Sequence, residues 1–159
     1  MPYESTARTD FYSDQIADLS LEDALNVYYA VHPQFTHWSD CRTEILRKML
    51  RSHDISHVIY GCPTTMLGEL RAQCWNIFGS KVPKTMKEFI EALRDKETRE
   101  LLGQPGILKF LLKNSKTVFL VWQQSRKMTK KWHFFKEGEY MARTVGEIRR
   151  EFGIEIFKL

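Results

Sequence analysis

The apolar positions of this chain alternate between helical spacing and short continuous runs. From Ser20 to Val31, Leu21, Ala24, Leu25, Tyr28 and Tyr29 share one helical face, with Ser20 as cap and Asp23 at the capping-box position. His32-Pro33 ends that helix, because proline lacks a donor and steers its predecessor away from helical angles. A second helix is expected from Ser39 to about Ser52, with Cys41, Ile45, Met49 and Leu50 inward and Arg42, Arg47 and Lys48 in water. The pattern then changes. His57-Val58-Ile59-Tyr60 is a short apolar run that reads as a strand, Gly61-Cys62-Pro63 punctuates it, and Met66 to Phe78 reads as a second strand broken at Gly68.

Helical spacing returns from about Lys84 to Leu102, where Thr85 and Glu88 form a capping pair and Met86, Phe89, Ile90 and Leu93 line up. Gly103-Gln104-Pro105-Gly106 interrupts it, and Ile107 to Leu112 reads as further helical turns. Thr117-Val118-Phe119-Leu120-Val121-Trp122, consecutive and β-branched or aromatic, is the strongest strand signal and is expected to be central. Ser125 caps an expected helix over Arg126 to Lys136, closed by Gly138; Glu139–Val145 and Ile154–Phe157 read as strands. This order predicts an α/β (α+β) protein, a mixed sheet flanked by helices in a single domain over residues 1–159. Its expected core is Leu25, Phe89, Leu93, Val118, Leu120, Val121 and Ile156.

Charge sharpens the picture. The chain carries +4, but eleven basic residues stand between Lys109 and Arg150 against Glu137, Glu139 and Glu147, a local balance of +8 that leaves −4 elsewhere. A basic C-terminal third favours a phosphorylated partner, whether cofactor or nucleic acid. No apolar run approaches the roughly 18 residues that a membrane span requires, and the first residues lack the apolar stretch of a secretory signal. No membrane partner is therefore expected, and the expected location is cytoplasmic. Three scattered cysteines, Cys41, Cys62 and Cys74, lack C-x-x-C spacing and give an odd count, which points to reduced, buried thiols. No metal site is expected.

Neither a Walker loop nor G-x-S-x-G occurs. His57 beside Tyr60 is a candidate base. Gly79-Ser80-Lys81 lies between an expected strand and an expected helix, where free amides and the helix dipole favour phosphate. Ser125 opens a comparable junction, followed by Arg126, Lys127, Lys130 and Lys131 with Trp132 interleaved. Solvated turns and a basic helix face with Met128, Trp132 and Phe135 inward account for the same residues without a ligand.

Thr9-Asp10-Phe11 and Ser39-Asp40-Cys41 opening two helices, Gln73-Cys74-Trp75 leading to Gly79-Ser80, the segment with Phe89 and Arg94, and Val121-Trp122 followed by Phe134-Phe135-Lys136-Glu137-Gly138 together resemble the GNAT-type N-acyltransferases. More narrowly, the pattern is similar to the acetyltransferase-like internal virion protein A family of short-tailed phages. Arg150-Glu151-Phe152 to Ile156-Phe157 would supply that family's closing strands. The resemblance implies acetyl-CoA between two central strands, its pyrophosphate at Gly79, Ser80 and Lys81 with Ser125 as a further cofactor-binding residue, and an amine substrate with Glu69 and His57 as bases. The Q/R-x-x-G-x-G/A loop of active members does not occur, and Phe134 and Phe135 stand where a proton-donating tyrosine is usual. The resemblance thus implies either an N-acyltransferase or a degenerate relative serving virion assembly, in the host cytoplasm or the virion. A nucleic-acid-binding module using Lys109–Arg150, and a structural protein binding a virion or host partner without catalysis, remain the alternatives.

Overall fold

A computed structural model describes residues 14–81 and 112–156. Among them, five α-helices surround one apolar cluster: α1 (Leu21–Val31), α2 (Glu44–Tyr60), α3 (Met66–Phe78), α4 (Ser115–Ser125) and α5 (Val145–Phe152). The β-structure is a pair of two-residue strands, β1 (Ser80–Lys81) and β2 (Trp132–His133), which run parallel with Ser80 opposite Trp132. The mixed GNAT-like sheet is therefore corrected to a helical assembly. None of the described helices is long and apolar enough to cross a membrane.

The first helix forms as its sequence dictates. Ser20 Oγ accepts the Asp23 amide at 3.0 Å, and Leu21, Ala24, Leu25 and Tyr28 bury one stripe. The second departs from expectation at both ends. Thr43, not Ser39, caps α2 by accepting the Leu46 amide, and the helix runs through His57-Val58-Ile59-Tyr60 to Gly61, which takes the left-handed conformation that glycine tolerates. Packed against α1, α3 and α5, the C-terminal half of α2 is buried on nearly every side. A helix enclosed in this way shows a continuous apolar run, and over four residues that run cannot be told from a strand.

Tertiary packing overrides β-propensity twice more. Met66–Phe78 is helical, capped by Thr65, whose Oγ1 accepts the Gly68 amide at 3.1 Å. Thr117–Trp122 lies within α4, which packs on α3 through Val118 and Val121 and leaves Phe119, Leu120 and Trp122 exposed. Of the expected core, Leu25 and Val121 are buried, Val118 and Ile156 are half-buried, and Leu120 is exposed. Phe89, Leu93, the helix expected over 84–102, and the other segments falling within 82–111 lie outside the described residues.

Downstream, α4 ends at Ser125 instead of Ser125 starting a helix. Arg126–Lys131 then leads into β2, and Glu137–Tyr140 is a 3-10 turn where a strand over 139–145 was expected. Thr144 and Glu147 form a reciprocal capping box that starts α5, and Gly153 closes it with positive φ. The chain beyond it, to Ile156, forms no strand. The rings of Tyr60 and Trp75 stack at 4.5 Å with planes 4° apart, joining α2 to α3 in the core.

Candidate functional site

α2 and α3 are joined by the short connection Gly61–Thr65 and pack against each other. This brings the end of one helix beside the beginning of the next. His53 and His57 stand one helical turn apart on α2, and Glu69 lies in the first turn of α3. His53 Nε2 is 3.1 Å from Glu69 Oε2, His57 Nε2 is 3.3 Å from Glu69 Oε1, and the two Nε2 atoms are 3.1 Å apart. The donor atoms of all three side chains lie within 4.8 Å of one another.

The proton inventory follows from one further contact. His57 Nδ1 is 2.8 Å from the Cys62 carbonyl oxygen, which can only accept, so Nδ1 carries hydrogen and donates. In the neutral ring, Nε2 then offers a lone pair to a space already facing a carboxylate and a second imidazole. Converging lone pairs require positive charge between them, supplied by protons or by a cation. Without a cation the cluster holds protons. Burial opposes charge on His57, yet its bonds to Glu69 and the Cys62 carbonyl raise its pKa above the ordinary imidazole value. Burial likewise pushes Glu69 upward, but hydrogen bonds and charge from His53 and His57 prevail and hold it well below the usual carboxylate range.

Solvent reaches the cluster from one side. The His57 side chain is fully buried, His53 is 20% exposed and Glu69 is 42% exposed. On the inner side Tyr28 stacks on His57, with ring centroids 5.9 Å apart. Asp54, adjacent to His53 in sequence, turns to α1, where Tyr29 donates to its carboxylate at 2.5 Å and Tyr28 at 3.4 Å. Burial raises the Asp54 pKa against those two donors.

The structure thus brings the two candidate bases, Glu69 and His57, into one cluster and adds His53, which sequence reasoning passed over. The spacing His53-x-x-x-His57 was the available signal. Ending α2 near Ser52 and starting a strand at His57 placed the two imidazoles on different elements and hid their shared face. Placing this carboxylate-imidazole set together also departs from the expectation of no metal site, which rested on the cysteines and overlooked His53-x-x-x-His57.

The expected phosphate site is dispersed among structural roles. Gly79 caps α3, its amide donating to the Trp75 carbonyl, and its own carbonyl accepts the Trp132 amide. Ser80 is buried in β1 with Oγ 3.2 Å from Tyr60 Oη, and Lys81 is exposed. Ser125 closes α4 and donates to the Trp122 carbonyl at 2.7 Å. Trp75 and Val121, which lie in the two runs that read as strands, sit on α3 and α4.

Several bases of the C-terminal third serve the fold, although among the described residues most of them stay exposed. Lys131 donates to the Phe78 and Ser125 carbonyls at 2.5 and 2.8 Å, tying together the ends of α3 and α4. Lys130 and Arg143 share Glu151, Lys127 pairs with Glu155, and Arg149 is buried. The three cysteines are thiols outside any disulfide, and all are buried. Compared with known proteins, the chain matches no family model, no curated protein and no solved structure.

Proposed function

We propose that this chain is a metal-binding protein in which His53, His57 and Glu69 hold one divalent cation of the zinc class in a catalytic type of centre. One observation carries the reading: two imidazole nitrogens and a carboxylate, contributed by two packed helices, converge within 4.8 Å. Nitrogen and oxygen donors in a two-to-one ratio suit zinc and its borderline neighbours better than calcium or magnesium, which prefer all-oxygen sets. Three protein ligands with a solvent-facing side leave room for a substrate or water, whereas closed structural zinc sites use four. A cation there would supply Lewis acidity, polarising a bound oxygen or acidifying a bound water. The protein's own part is to fix the ligands. The Cys62 carbonyl sets the His57 tautomer, the Tyr28 ring backs the imidazole, and the α3 N-terminus favours the charge on Glu69.

The test is calorimetric titration of chelator-treated protein with zinc chloride. One ion per chain is expected, with binding lost in His53→Ala and His57→Ala and weakened in Glu69→Gln. Absence of binding, or binding indifferent to His57→Ala, would overturn the metal reading and leave His57 and Glu69 as a proton-holding acid–base pair.

A further inference from the structure

The last four carbonyls of a helix have no partner within it, and at the end of α2 the partners are specific. His57 O accepts the amides of Gly61 and Cys62. The Tyr60 carbonyl lies 3.7 Å from the Cys62 thiol. The two carbonyls between them are taken from across the fold. Arg149 on α5 donates from Nη2 to Val58 O and from Nε to Ile59 O, each at 3.0 Å. Arg149 is buried, and a fixed cation at a helix C-terminus complements the helix dipole.

The same turn governs the candidate metal ligand. Cys62 is bonded to His57 twice: its amide donates to the His57 carbonyl at 3.0 Å and its carbonyl accepts from His57 Nδ1 at 2.8 Å. The orientation of the Cys62 carbonyl, and with it the His57 tautomer, depends on how Gly61 and Cys62 leave the helix. The Arg149 fork clamps the peptide groups immediately before that exit.

We propose that Arg149 is a positioning residue for the centre, holding the α2 terminus so that the Cys62 carbonyl keeps His57 in the Nδ1–H tautomer with Nε2 turned to the cation. This rests on the metal reading for its consequence, but the positioning itself can be observed without metal. Arg149 donates from Nε and Nη2 to backbone carbonyls of α2. It acts through two carbonyls and one turn, from the other end of the sequence.

Three proteins test it: Arg149→Lys, which keeps a positive charge but loses the two-pronged donor; Arg149→Gln; and Thr144→Ala, which loosens the start of α5 and leaves the guanidinium untouched. The first readout is the nitrogen-15 shifts of His57 in metal-free protein at alkaline pH, which report the tautomer. The second is zinc affinity by competition with a chelator. Wild type should show protonated Nδ1. Both Arg149 variants should show mixed tautomers and bind zinc on the order of 10- to 100-fold more weakly, the range usual for loss of an outer-shell partner. Thr144→Ala should melt earlier with the tautomer unchanged.

Protonated Nε2 in the wild type would overturn the proposal without recourse to any variant. So would an Arg149→Lys protein with wild-type tautomer and affinity, or a Thr144→Ala protein whose tautomer shifts as much as that of the arginine variants. If the wild type binds no zinc, the metal reading fails, while the tautomer measurement still decides whether Arg149 positions His57.

Discussion

Gly68 runs so close to Pro63 that a β-carbon on it would fall 1.7 Å from the Pro63 carbonyl oxygen. No L side chain fits there. The residue that looks like a break in a strand is the point where α3 passes beneath its own approach loop, one position before Glu69. The close approach lets the Gly61–Thr65 connection stay short, and it sets the height of Glu69 against His53 and His57.

Gly68→Ala must therefore displace the loop or the helix. Overpacking of this kind typically costs about 1–3 kcal/mol, and a backbone obstacle belongs at the upper end. Urea unfolding should show that loss, and zinc affinity should fall with it. A folded variant with unchanged stability would mean that the loop yields freely and does not place Glu69.

Leu120 and Val121 are neighbours with opposite fates. Leu120 is 37% exposed and Val121 is 0% exposed on the α3 side of α4. Leu120→Ala should cost less than about 1 kcal/mol, whereas Val121→Ala, deleting two buried methyl groups, should cost roughly 1–3 kcal/mol. Chemical denaturation of the two variants side by side gives the answer. A larger loss at Leu120 would restore the central strand and refute the helix.

That pair shows where the sequence is legible and where it is not. Local chemistry could be read wherever the partner is three or four residues away, as in Ser20 and Asp23 capping α1 and His32-Pro33 ending it; Gly61, read as punctuation after a strand, instead closes α2. Long-range burial could not be read. The end of α2 is apolar and β-branched because other helices cover it, and nothing within that segment records those helices, whereas in α4 only Val121 of the apolar run is buried and Phe119, Leu120 and Trp122 stay exposed. The His57–Glu69 contact follows from the same missing information. Both residues could be named as bases, but their meeting required α2 and α3 to be helices joined by a five-residue turn. The Thr144–Glu147 capping box was locally legible, yet a strand reading of 139–145 ended on top of it.

Tyr29 provides a test of the wall behind the cluster. Its hydroxyl donates at 2.5 Å to the buried Asp54 carboxylate, and burial together with the Asp54 charge keeps it protonated far above the ordinary tyrosine range. Tyr29→Phe removes the shorter of the carboxylate's two tyrosine donors while keeping the ring. The expected cost is about 1–3 kcal/mol, the penalty for leaving a buried acceptor short of a partner. Tyr28→Phe, which removes the longer 3.4 Å contact, should cost less. Melting temperatures of the two variants rank the bonds, and the reverse order would contradict the assignment.

The pH dependence of stability should reverse sign when metal is added. In the metal-free protein Glu69 has a depressed folded pKa, so its contribution is present above the unfolded value of 4.5 and is lost as pH falls through the folded pKa. His57 has a raised folded pKa, so its contribution is complete below the unfolded value of 6.5 and is lost as pH rises through the folded pKa. The proton-bridged cluster is thus most stabilising between these two unfolded values and weakens toward alkaline pH. A metal ion needs the same imidazoles deprotonated, so its stabilisation grows as pH rises over that interval. Melting temperature measured from weakly acidic to weakly alkaline pH should therefore fall in chelator and rise in saturating zinc. His57→Ala should flatten both curves, since it removes the shared proton and a shared ligand together. Two parallel curves for the wild type would mean that zinc binds elsewhere and that His53, His57 and Glu69 exchange only protons.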